Sequence, residues 1–319
     1  MNQDLSRDLK EPSQTSSRVL LIRPGSFGRN EAAAGTNTFM ESTSGESGEI
    51  ADQARREFDG LAQCLADAGV QVIIDEEPNL PDSVFPNNWF SYHQPAGRSP
   101  VMITYPMTTP LRRLERRAAV IDRIREAAGK DLEHIHLEHF EAHGEALEGT
   151  GSLVLDRVQG VAFACRSPRT TDAVLDAWGE ATGFEIERFD AFGEDGTPVY
   201  HTNVIMSVGS AFAVFAADCV PDTGVRSRIM DRLGELGKEV LDISPAQVSG
   251  MCANVLELQS EQETTLLAMS ARAHRSFTNL QCKRLEDLAQ LVVADIPTIE
   301  RIGGGSVRCM IAELGVQNS

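Results

Sequence analysis

Hydrophobic and polar positions alternate in short runs along this chain, and they predict a repeat rather than one continuous sheet. Four times, two strand-like runs joined by a turn are followed by a helical segment and a further strand. Asn88–His93 joins Val101–Tyr105 through Pro95-Ala96-Gly97, and Leu153–Asp156 joins Val161–Cys165 through Gly160. Val204–Val208 joins Phe212–Phe215 through Gly209, and Val255–Leu258 pairs with Leu266–Met269. Between the hairpins, Leu111, Leu114, Ala118 and Ile121 recur at helical spacing, as do Leu285, Leu288, Leu291 and Val292. Thr171–Thr182 and Asp222–Leu236 read the same way. Third strands follow at Ile135–Phe140, Phe184–Phe189, Glu239–Ile243 and Ile296–Ile299.

A fifth unit is split between the two ends of the chain. Val307–Ala312 supplies one hairpin strand and Val19–Ile22 the other; the helix Ala51–Ala68 and the strand Val70–Ile74 complete it. A ββαβ unit of this size cannot bury its own apolar face, so five of them are expected to pack around a pseudo-symmetry axis as one α/β domain over residues 18–319. Tandem hairpins argue against an open doubly wound sheet, whose parallel strands need crossovers. Residues 1–17 mix charge and polarity without an apolar stretch, which argues against a secretory signal and predicts a loose tail.

Composition narrows the function. The 319 residues are 41% hydrophobic and 24% charged, as in a soluble globular protein, and no apolar run reaches the length of a membrane span. A formal net charge of −18 argues against nucleic acid, and Arg112, Arg113, Arg116 and Arg117 read as a solvated helix face. None of the six cysteines forms a C-x-x-C pair, and so long a chain needs no disulfide staples; reduced thiols in the cytoplasm are expected. His134, His136, His139 and His143 alternate along a predicted strand without the H-E-x-x-H order, so no metal is assigned to them. Gly303-Gly304-Gly305 precedes a strand rather than a helix, so it is not read as a phosphate cradle.

The remaining polar residues gather at equivalent places, the hairpin starts: Asn87 and Asn88 in the first unit, Glu148 and Gly149 in the second, His201 and Asn203 in the third, Cys309 in the last. In a ring of such units these positions converge. Cys309 follows three glycines, which let a backbone approach a ligand closely, and a free thiol needs a neighbouring cation such as Arg308 or protonated His201 to become a ready nucleophile. A cysteine in an apolar strand is otherwise a buried core thiol, and Cys64, Cys165, Cys219, Cys252 and Cys282 keep that reading. Glu148 stands to orient the imidazole or move protons.

Gly303-Gly304-Gly305-Ser306-Val307-Arg308-Cys309-Met310 resembles the nucleophile segment of the guanidine-modifying enzyme superfamily, which holds arginine deiminases, dimethylarginine dimethylaminohydrolases and amidinotransferases. Tyr200-His201-Thr202-Asn203-Val204 is similar to its catalytic histidine segment, and Leu80-Pro81-Asp82-Ser83-Val84-Phe85 to its opening substrate-binding strand. Ser167-Pro168-Arg169-Thr170 resembles the segment whose arginine holds the substrate carboxylate. Arg23-Pro24 with Phe27, Asn30 and Asn37 looks like the N-terminal signature of the citrulline-utilisation hydrolases, the branch it resembles most, and the likeness runs from about Val19 to Val316. The resemblance implies a five-bladed α/β propeller, the pentein fold. It also implies Cys309, His201 and Glu148 as catalytic residues, Asn88, Asn203, Asp82 and Arg169 as substrate-binding residues, and no metal or organic cofactor.

Guanidine-acting relatives usually carry aspartates where this chain has Asn88 and Asn203. An amide offers a donor and an acceptor without charge, which suits a neutral ureido group. The expected reaction is hydrolysis of citrulline to ornithine, ammonia and carbon dioxide, with an amino-acid substrate and neither nucleic acid nor membrane as partner. An arginine-type deiminase or an amidinotransferase is the alternative, a catalytically silent binding protein of the same fold the second; homo-oligomerisation stays open. Relatives commonly carry Glu-Gly-Gly-Asp, whereas Glu148-Gly149-Thr150-Gly151 lacks the aspartate.

Overall fold

The computed structural model describes residues 12–35, 37–41, 47–77, 79–129 and 131–316, with only the backbone at Glu77. Its strands are β1 (Arg18–Pro24), β2 (Gln71–Glu77), β3 (Phe90–His93), β4 (Val101–Thr104), β5 (Glu133–His136), β6 (Val154–Asp156), β7 (Val161–Cys165), β8 (Glu185–Phe189), β9 (Met206–Val208), β10 (Phe212–Phe215), β11 (Glu239–Asp242), β12 (Leu256–Gln259), β13 (Thr265–Ser270), β14 (Gln290–Ala294) and β15 (Ala312–Glu313). Among the described residues they form five separate three-stranded sheets, β15-β1-β2, β3-β4-β5, β6-β7-β8, β9-β10-β11 and β12-β13-β14. In each, the central strand pairs antiparallel with the first and parallel with the third. The split unit is confirmed in register, with Val19 opposite Glu313 and Leu20 opposite Ala312.

The central strands are apolar on both faces because both are covered: all residues of β4 and β7 are buried. Helix Asp172–Thr182 lays Val174, Leu175 and Trp178 onto its unit, and the Trp178 indole N–H donates to the Tyr105 hydroxyl of the preceding unit at 2.9 Å. A buried ion pair, Lys238 Nζ to Asp156 Oδ2 at 2.8 Å, ties the second unit to the third. Residues of β6, β9, β12 and β15 line one small cavity together with Gln14, Arg157 and Arg308.

Four expectations change. The segment assigned to a loose tail is built in from Gln14 onward: its Nε2 donates to Leu155 O at 2.8 Å and Val208 O at 3.0 Å, and Ser16 and Ser17 are buried. Residues 1–11 lie outside the described residues. The third strand of the first unit ends at His136, and Glu138–His143 is a 3₁₀ segment. Helix Asn279–Leu288 ends before Leu291 and Val292, which belong to β14, so the strand expected at Ile296–Ile299 is already complete and that stretch enters a helical turn, Ile299–Gly303. Short apolar runs satisfy both periodicities, which is why pattern alone misplaces such boundaries. Finally, the turn Pro110–Arg113 is rotated relative to the predicted face: Leu114 is 62% exposed while Arg112 is 3% exposed. No helix among the described residues is long and apolar enough to cross a membrane.

Trp178→Ala should remove about 3–5 kcal/mol of stability, the cost of emptying a fully buried aromatic site. Urea unfolding of the two proteins checks it, with a lower midpoint expected in the variant.

Candidate active site

The mouths of the hairpins are short helical turns rather than strand starts, and each turn aims one or two side chains inward. Cys309 sits in the turn Val307–Met310, not on the strand expected there. The loop before it turns at Gly304, whose φ of +67° favours glycine; a Cβ there would also meet the Asn37 amide. Asn37 Nδ2 donates to Gly303 O at 3.3 Å, and Tyr200 Oη donates to Gly304 O at 2.8 Å, so the loop before Cys309 is tied to the N-terminal segment and to the third unit.

His201, just before the turn Thr202–Val204, donates through Nε2 to Glu148 Oε2 at 2.9 Å, and both residues are buried. Glu148 Oε2 also lies 3.4 Å from Arg169 Nη1, and Oε1 accepts the Thr108 backbone N–H at 3.2 Å. Burial alone would raise the Glu148 carboxyl. The Arg169 charge and the His201 hydrogen bond outweigh it and hold the group well below the usual carboxylate range. Burial dominates at His201 and lowers it to about 4 despite the Glu148 charge. The pair is therefore an ionised carboxylate and a neutral imidazole, with the proton on Nε2 and the lone pair on Nδ1.

Gly151 is the place where this geometry needs glycine. A Cβ on it would lie 2.8 Å from His201 Nδ1 and 2.5 Å from Asn88 Nδ2, so its absence brings the free imidazole nitrogen and the Asn88 amide to one spot. Asn203 Nδ2 points at Cys309 Sγ at 3.4 Å. Asp82 accepts Asn30 Nδ2 at 2.8 Å, and burial raises its carboxyl although the Arg112 charge opposes this. Arg169 Nη2 donates to Ala33 O at 3.2 Å, and its guanidinium lies 4.9 Å from the Tyr200 ring centroid.

All seven residues singled out in the sequence are buried, and hydrogen bonds link several of them: Glu148 with His201 and Arg169, Asn203 with Cys309. Two others were missed. Asn254, ahead of β12, donates Nδ2 to Cys309 Sγ at 3.2 Å; it holds the hairpin-start position of the fourth unit, the one unit from which no residue had been taken. Arg112, read as part of a solvated face, is buried and donates Nη1 to Asn88 Oδ1 at 2.7 Å while forking onto Glu115 at 2.8 and 2.9 Å. Its neighbours on that face are paired as well, Arg116 with Glu141 at 2.8 Å and Arg117 with Asp75 at 3.0 Å. Only the apolar-phase error hid Arg112, and no residue pattern signalled it.

Five buried polar atoms of the site lack a partner: Asp82 Oδ1, Asn87 Oδ1, Asn203 Oδ1, Asn254 Oδ1 and Asn88 Nδ2. Buried polar groups are normally satisfied, so this concentration marks where a ligand's polar atoms belong. A cavity of about 370 Å³, lined by Phe39, Glu41, Glu194, Asp195, Tyr200 and Arg272 among others, includes none of these five residues. Elsewhere, His134, His136 and Glu138 bring ligand-capable atoms within 4.8 Å of one another. Both His134 nitrogens are already engaged there, Nε2 with Thr104 Oγ1 at 2.9 Å and Nδ1 with Arg125 Nη2 at 3.2 Å.

A family model described as N,N dimethylarginine dimethylhydrolase, eukaryotic, matches residues 23–316. The fold is shared with ArgZ, an arginine dihydrolase from the ornithine–ammonia cycle in cyanobacteria (TM-score 0.70, 14% identity, 95% of this chain and 41% of that one). It is shared with a variant of AgrE in complex with L-arginine (TM-score 0.71, 15% identity, 95% and 41%). A dimethylarginine dimethylaminohydrolase variant, caught as an adduct with S-methyl-L-thiocitrulline, matches with TM-score 0.58 and 16% identity over 93% of this chain and 99% of that one. The chain thus spans about two fifths of the length of ArgZ and AgrE, and it covers 98% of the N-terminal domain of ArgZ. No curated protein sequence matches it.

Acid should weaken the fold through this site in two windows. Below about pH 6.5 the unfolded chain takes up a proton that buried His201, lowered to about 4, refuses, so stability falls from 6.5 down to about 4. Glu148 contributes above its unfolded value of 4.5, and that part is lost as pH drops through its lower folded value. His93 and His134, also lowered, act in the same sense as His201. Urea midpoints measured between pH 7 and 4 should decline in the wild type and decline less steeply in His201→Gln.

Proposed function

The chain belongs to the eukaryotic-type N,N-dimethylarginine dimethylhydrolase family of the guanidine-modifying superfamily, and within that family we propose, from the amides of its own site, that it hydrolyses the ureido group of an amino acid, L-citrulline in the first place, through a covalent Cys309 intermediate. One observation carries the choice of substrate: the orientation of the Asn88 amide. A guanidinium only donates, so Arg112 claims Asn88 Oδ1 and leaves Nδ2 as the unpartnered atom. A ureido carbonyl accepts that N–H; a substrate guanidinium has no acceptor to offer and leaves the donor buried and unmet. That penalty is roughly 1–3 kcal/mol, about a tenfold to hundredfold preference.

In the proposed reaction, His201 Nδ1 takes the thiol proton and the Cys309 sulfur attacks the ureido carbon. The carbonyl oxygen gains charge in the tetrahedral intermediate and is met by Asn88 Nδ2. The C–N bond then breaks, and the leaving amine takes the proton from His201. Water gives a proton to the same nitrogen and its oxygen attacks the sulfur-bound carbonyl carbon; the C–S bond breaks and the thiol is reprotonated. The carbamate so released breaks down to an amine and carbon dioxide, giving ornithine, ammonia and carbon dioxide in sum. Glu148 holds the imidazole by its Nε2 proton, Arg169 anchors Glu148 and receives the α-carboxylate, Asp82 Oδ1 takes a substrate N–H, and Asn203 holds both sulfur and ureido nitrogen. No metal or organic cofactor enters these steps. We place the five sheets as blades of a propeller around the shared cavity, and the protein, with six unpaired cysteines, in the cytoplasm.

A second reading is favoured by the four unpartnered oxygens, Asp82 Oδ1 among them. So many acceptors also suit the N–H groups of a guanidino substrate, as in the L-arginine complex of AgrE, and they would make this chain an arginine hydrolase.

Ammonia release across citrulline, arginine, agmatine and methylated arginines separates the readings. Citrulline should be turned over with the highest kcat/KM, Cys309→Ala should abolish release without changing thermal unfolding, and Asn88→Asp should cut citrulline kcat/KM by roughly a hundredfold by replacing a donor with a charge. Arginine consumed as fast as citrulline would defeat the amide argument. A Cys309 no more reactive toward thiol reagents than a free cysteine would leave a silent binding protein.

A further inference from the structure

Asn254 is fully buried at the mouth of the fourth hairpin. The turn that presents it is unusual: Met251 has a φ of 64°, a left-handed conformation that non-glycine residues adopt at a cost, and Asn254 N donates back to Met251 O at 3.0 Å. The side-chain amide has its direction set from outside. Asn203 O can only accept, and it lies 3.1 Å from Asn254 Nδ2, so the nitrogen must be on that side. The second Nδ2 proton points at Cys309 Sγ, 3.2 Å away. Both amide protons are then used, and Oδ1, bonded to the same carbon, is buried with no partner. Asn203 shows the same arrangement from the third unit, Nδ2 on the sulfur at 3.4 Å and Oδ1 unmet.

We infer that Asn254 both positions the Cys309 sulfur through Nδ2 and, through Oδ1, accepts an N–H of the group under attack, which makes it a specificity-determining residue. Three amides from three units then surround the reacting carbon. Asn88 faces it with a donor, and Asn203 and Asn254 face it with acceptors. One carbonyl flanked by two nitrogens, –NH–CO–NH₂, matches that set atom for atom. The substrate half of this inference rests on the hydrolase reading; the sulfur half does not.

The test begins with alkylation of Cys309 by iodoacetamide across pH, followed on the Cys309 peptide by mass in the wild type, Asn254→Ala and the nearly isosteric Asn254→Asp, with thermal unfolding as the folding control. Losing an N–H on the sulfur should move the Asn254→Ala profile to higher pH and slow alkylation at pH 7 about tenfold or more. A carboxylate in that position should slow it further by repelling the thiolate. Profiles in both variants that coincide with wild type would overturn the sulfur half. Ammonia release from citrulline then tests the other half: kcat/KM in Asn254→Ala should fall about tenfold beyond the loss in alkylation rate. A fall equal to the alkylation loss would overturn the acceptor role. If the wild type releases ammonia from no ureido or guanidino amino acid, the hydrolase reading fails and takes the substrate half with it, while the alkylation profiles still decide the sulfur half.

Discussion

Glu148 is a carboxylate with no exposed surface, and a charge so placed would cost several kcal/mol without partners. It has three, each from a different part of the chain: the Thr108 N–H after the first hairpin, Arg169 after the second, and His201 at the mouth of the third. Meeting that one charge constrains the distance between successive hairpin mouths, and it sets the imidazole with its Nε2 proton on Glu148 and its Nδ1 beside Gly151. The position of the His201 imidazole and the close approach of the first three units follow from keeping Glu148 paired.

A second layer of constraint concerns amides, whose two ends differ only in which atom donates. Two amides of the site are turned by a neighbour that has a single role: Arg112 can only donate to Asn88, and Asn203 O can only accept from Asn254; the Cys309 sulfur lies against the Nδ2 of both Asn203 and Asn254. The supporting groups are themselves buried and engaged, Arg112 by Glu115 and by the carbonyls of Phe85 and Asp82. What remains unmet faces inward as a fixed pattern of one donor and several acceptors. In the proposed reaction such preorganisation matters, because a donor already aimed at a developing oxyanion needs no rearrangement.

Much of the architecture was legible as pattern. Hairpins with a turn glycine and period-two apolar runs are local signals, and Val161–Cys165 and Phe212–Phe215 have the predicted bounds. The split unit was legible because two orphan half-units at the termini had no other partners. Boundaries failed where an apolar run serves two periods, as at Leu291 and Val292, and where a helical turn replaces a strand start, as at Cys309.

The residues of the site divide along the same line. Residue type and place in the repeat were enough to single out Cys309, His201, Glu148, Asn88 and Asn203, because a repeat puts equivalent positions in equivalent surroundings; Asp82 and Arg169 were singled out only by the resemblance of their segments to the superfamily. Asn254 sits at such a position and was open to the same logic. Arg112 was not, since its spacing is that of a surface helix and only packing turns it inward beneath Asn88. Which end of each amide faces the pocket was likewise beyond any one-dimensional reading. Donor and acceptor share a side chain there, and only neighbours brought together across the fold decide which of the two is left over.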